Sequence, residues 1–348
     1  MFYSASRKVA SSPRSEAGGP GRVAALLRGL AVAAHEGFAA NPLLMLVGTG
    51  MLVAFVGTLT GMALDPRIIT GVPAWLKPAK FAISISIYSF TLLWLLTFVQ
   101  GHTRLKTTVA GLTAAGFLIE MLIIVGQVMR GTTSHFNVST PLDAALFAIM
   151  GVTIVIVWSM SILMAGMLVR QKISDGAFAL SLRMGIIVAV AGMAVAFLMT
   201  QPTGTQIAAA QVGQGMPLLG AHSVGLADGG PGIPFLGWST VGGDLRIPHF
   251  VGLHALQVLP FVGWLLSRRR FAPLGNGRRK ALVLTFSLSY MGVLLLLTWQ
   301  ALRGQSIVAP DGQTLQAFAA LLSATALGVL AVAAHARLRP GLQPQRQG

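Results

Sequence analysis

The sequence predicts an all-α polytopic membrane protein. It is a bundle of about eight transmembrane helices with both termini cytoplasmic and a long glycine-rich extracytoplasmic loop between helices 5 and 6. Three observations predict this. Of 348 residues, 54% are hydrophobic and only 10% charged, against about 25% charged in soluble domains. Apolar runs of about 20 residues, the length that crosses a hydrocarbon core, recur along the chain. The basic residues fall on alternate connections between those runs.

In chain order, residues 1–41 are small, polar and basic, with no apolar core of signal-peptide type, and read as a cytoplasmic N-terminal segment. Residues 42–201 hold helices 1–5, in the windows Pro42–Leu64, Phe81–Val99, Thr107–Val128, Leu142–Leu168 and Arg183–Thr200. Residues 202–247 form the cap loop. Residues 248–335 hold helices 6–8, in the windows Phe250–Leu266, Ala281–Leu302 and Leu315–Ala334, and 336–348 are a cytoplasmic tail. The fifth and sixth windows are the shortest, so a re-entrant segment is the alternative in place of one of them.

The net charge of +16 would suggest nucleic acid in a soluble chain. Here its placement excludes that reading. Arg7, Lys8, Arg14, Arg22 and Arg28 precede the first window, and Arg104, Lys106, Arg170, Lys172 and Arg183 flank the next two connections on the same side. The run "RRRFAPLGNGRRK" (268–280) and then Arg337, Arg339 and Arg346 complete the set. Positive charge beside short loops is retained in the cytoplasm, and it touches anionic lipids at that face of the bilayer. The predicted setting is a bacterial-type cytoplasmic membrane. With no cysteine, disulfides and thiolate metal sites are excluded.

Polar residues gather on the opposite, extracytoplasmic side. Four of seven histidines lie there: His135, His222, His249 and His254. Lys80, Ser84, Tyr88 and Thr91 share one face of the second span, Glu120 and Gln127 one face of the third, and His254 and Gln257 neighbour each other on the sixth. Ionisable groups at membrane depth are costly and mark function by default. "STPLD" (139–143) reads as a helix start, with Thr140 the N-cap, Pro141 the first helical residue and Asp143 a capping acid. Lys77 and Arg303 read as side chains snorkelling to head groups. The segment Pro202–Ile247 has eleven glycines, and its charged residues are Asp228, Asp244 and Arg246. It reads as a lid, with "TQIAAAQ" a short helix. "WLKPAKF" (75–81) and "DLRIPHF" (244–250) resemble each other at equivalent places in the two halves, which suggests a parallel duplication.

These residues suit a polar pocket that works on a small-molecule or lipid substrate, with no nucleic acid partner. Arg130, Arg246 and Lys80 would hold an anionic group, with Gln127, Gln257, Asp244 and Tyr88 lining the site. His254, Glu120, His249 and His135 would carry acid–base chemistry. In a metal-assisted version His135, His249 and His254 are the candidate ligands of a divalent ion, with His249 off the helix that carries His254. "TTSHF" and "RIPHFVGLH" share residue types with acid-phosphatase-type membrane phosphatases but not their spacing, so the chain is assigned to no family. Two further readings stand beside the enzyme: a redox protein holding haem b or a quinone, and a transporter of a small anionic or proton-coupled solute.

Overall fold

The computed structural model describes residues 20–338; Arg7, Lys8, Arg14, Arg339 and Arg346, with the ends of the two terminal segments, lie outside them. The protein is all-α and polytopic. Its long helices are α1 (Pro20–Ala40), α2 (Pro42–Leu64), α3 (Leu76–Leu96), α4 (Thr103–Met129), α5 (Pro141–Arg170) and α6 (Gly176–Ala194). They continue with α9 (Arg246–Leu266), α10 (Gly275–Leu302) and α11 (Gly312–Leu338). Short helices α7 (Ala196–Met199) and α8 (Gly204–Gln211) follow α6. The sheet content of the described residues is two small hairpins, β1 (Ile68–Ile69) with β2 (Val72–Pro73) and β3 (Ser223–Val224) with β4 (Gly243–Asp244).

Nine helices among the described residues are long and apolar enough to cross a membrane, against the expected eight or so. The addition is α1, inside the segment expected to be a plain cytoplasmic extension. Its alanines and interruptions such as Arg28 dilute the apolar signal that leucine-rich spans carry. It touches α2 and α3, where Gly37 sits against Met45 and Leu93.

The elements form where local chemistry directs them. Asn41 caps α2 by accepting from the Leu44 amide at 2.9 Å, with Pro42 in the first turn. Thr140 caps α5 as expected, and Asp143 Oδ2 accepts its hydroxyl at 2.6 Å. Thr203 and Gln206 make a capping box that starts α8. Helix α9 begins four residues before its expected window, because Pro248 sits in the first turn, where a missing N–H costs nothing.

The long helices alternate between two faces. One carries the connections 65–75, 130–140, 200–245 and 303–311 and is called here the cap face. The other carries Arg104, Arg170, Arg268–Arg270 and Arg279, where Arg279 pairs with Asp175 at 2.7 Å.

The second half repeats the plan of the first. In the first, α2 packs on α3, α3 on α4 and α4 on α5; in the second, α6 packs on α9, α9 on α10 and α10 on α11. A hairpin precedes both α3 and α9. Gly48 meets α3 through Ser86, whose hydroxyl donates to Gly48 O at 2.8 Å, and Gly185 meets α9 at Ala255. Both α4 and α10 end in Gln-x-x-Arg-Gly, with Gly131 and Gly304 at positive φ and the Thr132 and Gln305 amides bonding back to Gln127 and Gln300. Each arginine then pairs with an aspartate at the start of the next helix: Arg130 with Asp143, and Arg303 with Asp311. The halves differ most between first and second helix, where the second carries the long cap loop.

Small residues let the central helices touch backbone to backbone, as in membrane bundles generally. At the α6–α9 crossing a Cβ built on Gly192 would lie 2.4 Å from Gly252 Cα.

Candidate functional site

The buried ionisable cluster lies beneath the cap, between the first turn of α3, the last turns of α4, the α4–α5 connection and the cap loop. Glu120 is 2% exposed. Its Oε1 lies 3.4 Å from His135 Nε2, while its Oε2 has no hydrogen-bond partner. Lys77, on the first turn of α3, acts electrostatically on both Glu120 and His135. It therefore belongs electrostatically with the cluster, where the sequence reads it as snorkelling to a head group.

Two loops bring the histidines together. The α4–α5 connection pairs with the cap loop through an Asn137–Leu218 bridge, and Leu219 N donates to Phe136 O at 2.7 Å. Phe136 takes φ +64°, a region costly for a non-glycine residue and commonest at functional sites. Its ring meets both His135 and His222, with centroids 6.1 and 4.8 Å away. The two imidazoles stack on each other with centroids 6.4 Å apart, and Phe81 closes the other side of His135 at 5.6 Å.

Beyond His222 stands Asp228. Its Oδ2 lies 2.6 Å from His222 Nδ1, and it also accepts from the backbone amides of His222 and Ser223. Burial pushes the Asp228 carboxyl up, but the bonds from His222 and Ser223 outweigh it and hold the group below the usual carboxylate range. His135 is held well below the ordinary histidine value, by burial first and then by the charges of Lys77 and His222. His222 is also lowered, by burial, against the opposing pull of Asp228.

Of the residues singled out in the sequence, Glu120 and His135 are brought together. The others fall elsewhere. Gln127 donates to Asp143 Oδ1 at 2.8 Å, and Arg130 donates to the same oxygen at 2.6 Å. Arg246 grips Asp244 and also donates to Gly237 O at 2.6 Å, and Lys80 donates to Leu236 O at 2.9 Å. Arg246 and Lys80 thus tie the cap loop to α9 and α3. Tyr88 OH lies 2.6 Å from Ser161 Oγ, joining α3 to α5.

His249 and His254 both lie on α9, whereas the metal-assisted version needs His249 off that helix. Five residues apart, they point about 140° from each other on a helix of 3.6 residues per turn. His249 Nδ1 lies 3.0 Å from Gly192 O at the α6 crossing. His254 is exposed and reaches Gln257 Oε1 at 3.3 Å, while Gln257 donates to Thr91 Oγ1 at 2.9 Å. The histidine that Glu120 meets is therefore His135. The three histidines named as metal candidates are not gathered: among the described residues no group of three or more His, Asp or Glu side chains is placed to hold a metal ion. Among the described residues of the site region, His249 and His254 share one helix and His135 and His222 stand in loops, so these four give no pair on facing helices.

Comparison with protein-family models, with curated proteins and with solved structures gives no match.

Sequence reasoning left out His222 and Asp228 as site residues, although a signal for them was present. In a segment with so few charges, "AHSVGLAD" (221–228) places a histidine and an aspartate in one short apolar turn.

Proposed function

We infer that this integral membrane protein is an enzyme of the bilayer's extracytoplasmic side, with the cap face outward and the basic face toward the cytoplasm. Glu120 and His135 are its acid–base pair, and Lys77 is the cation that meets an anionic group of a lipid-like substrate. One observation carries the reading: a carboxylate almost wholly buried, with one oxygen facing a histidine and the other left without a partner. An unsatisfied buried polar group costs about 1–3 kcal/mol, and more when charged. A purely structural side chain would be satisfied or replaced, whereas a catalytic one is kept free for its substrate.

The test is to incubate the purified protein with total extracted membrane lipid and compare products by mass spectrometry. The wild type is expected to form a product that Glu120→Gln and His135→Asn form at least about a hundredfold more slowly, the scale of general acid–base catalysis. Both variants should elute from size exclusion as the wild type does. Equal product from all three refutes the assignment.

A second reading has its own observation. The Gln257–Thr91 hydrogen bond joins α9 to α3, the equivalent helices of the two halves, at the middle of α9 and in the last third of α3. A carrier places its site at such a junction between repeats. Proton-coupled uptake into proteoliposomes, lost in Gln257→Leu, would favour it over the enzyme.

A further inference from the structure

We propose that the cap loop carries the proton path of the site, with His222 and Asp228 linking the buried Glu120–His135 pair to water outside. This rests on the reading of Glu120 and His135 given above and names how their protons are exchanged.

The groups form a line. Asp228 Oδ2 lies 2.6 Å from His222 Nδ1, the His222 and His135 rings stack at 6.4 Å, and His135 Nε2 lies 3.4 Å from Glu120 Oε1. Two of these links are within or close to hydrogen-bonding reach. The imidazole-to-imidazole step is longer, of a length that one bridging water would span. The Asp228 carboxylate engages Nδ1, which leaves His222 Nε2 as the exchanging nitrogen and stabilises the imidazolium when it forms. Asp228 is itself held by two backbone amides, so it orients the ring without moving.

The proton balance is simple. A proton leaves His222 for His135, and another leaves His135 Nε2 for Glu120 Oε1. His222 is reloaded from outside water. No heavy-atom bond forms or breaks and no electrons move. The charged neighbours act on each step: Asp228 favours the charged form of His222, while Arg246 and Lys77 oppose it. His135 feels Lys77 and His222, and Glu120 feels Lys77. His249 on α9 is the remaining histidine within electrostatic reach of His222. Burial first, with the nearby cations adding to it, holds both relay histidines below the ordinary histidine value, so each passes an accepted proton on.

A structural cap would also be fixed by Asp228, so the experiment has to read proton transfer itself. The full-length protein is placed in proteoliposomes in weakly buffered medium and the outside pH is stepped down. Protonation of Glu120 is followed by the infrared carbonyl band that Glu120→Gln lacks. In His222→Phe, which keeps a ring against Phe136, and in His222→Ala the band is expected to rise about tenfold or more slowly. Added imidazole is expected to restore the rate in His222→Ala. A rate unchanged by both substitutions overturns the relay, and so does a slowed rate that imidazole does not restore. The readout involves no turnover. Product formation surviving in Glu120→Gln would defeat the enzyme reading alone, whereas an unchanged band rate beside an inactive Glu120→Gln would defeat the relay alone.

Discussion

Replacing Gly192 by alanine should destabilise the bundle although alanine is the better helix former. The added Cβ would stand 2.4 Å from Gly252 Cα, 2.7 Å from its carbonyl carbon and 3.0 Å from Leu253 N. All three are backbone atoms, so no side chain can turn aside. Ordinary contact begins at 3.4 Å, so α6 and α9 must part by roughly 1 Å, near the upper end of the 1–3 kcal/mol that overpacking costs. The gain in helix propensity returns about 1 kcal/mol, which leaves a net loss of about 2 kcal/mol. Parting the helices also lengthens the 3.0 Å contact between His249 Nδ1 and Gly192 O. Thermal unfolding in detergent is the assay. Gly151→Ala is the control, since a Cβ there meets nothing within 4 Å. Gly252→Ala should match Gly192→Ala, and the double substitution should cost less than the sum, because helices parted by one added Cβ have already made part of the room for the other. A Gly192→Ala melting temperature at or above that of Gly151→Ala refutes the reasoning.

Three further outcomes follow from the same structure. His135 and His222 are both held below the ordinary histidine value of 6.5. The unfolded chain therefore binds protons that the folded one refuses, so stability is full above that value and falls as pH drops through it. The slope should be at most about 1.4 kcal/mol per pH unit for each histidine, and unfolding between pH 7.5 and 5.5, a window of roughly one unit either side of the free value, should show it flattened in His135→Gln. Arg130→Ala should lower the melting temperature more than Arg303→Ala: both arginines pair with an aspartate, but Asp143 is 3% exposed, whereas the Asp311 side chain is 39% exposed and better solvated. Gly71 sits at the hairpin tip with φ +73°, where a Cβ would lie 2.2 Å from Gly229 O, next to Asp228. Gly71→Ala should therefore loosen the cap and speed proteolytic cleavage within 203–243, while the helices stay protected.

The amino-acid sequence by itself determined the solvent in which the chain folds. Long apolar runs and scarce charge dictate helices, because lipid satisfies no backbone polar group and a helix bonds its own. Local codes were equally legible: Thr140-Pro141 starting α5, the short helix in "TQIAAAQ", and the resemblance of 75–81 to 244–250, which the structure extends into a repeated plan. Helix α1 was missed because alanine carries a weak apolar signal. Where the site lies also depended on depth and spacing, which singled out Glu120 as costly to bury. Its partner was another matter. Helical spacing relates residues on one helix: it set Gln127 beside Glu120 and Gln257 beside His254, and His254 is exposed in the folded chain. The histidine that meets Glu120 comes from a loop, the cation that acts on it from the first turn of α3, and the next histidine from a loop farther along the chain. No periodicity connects such positions. Loop pairing through Asn137 and Leu218, and the strained backbone at Phe136, decided that His135 and His222 meet; only the folded chain sets which distant segments share the low-dielectric space under the cap.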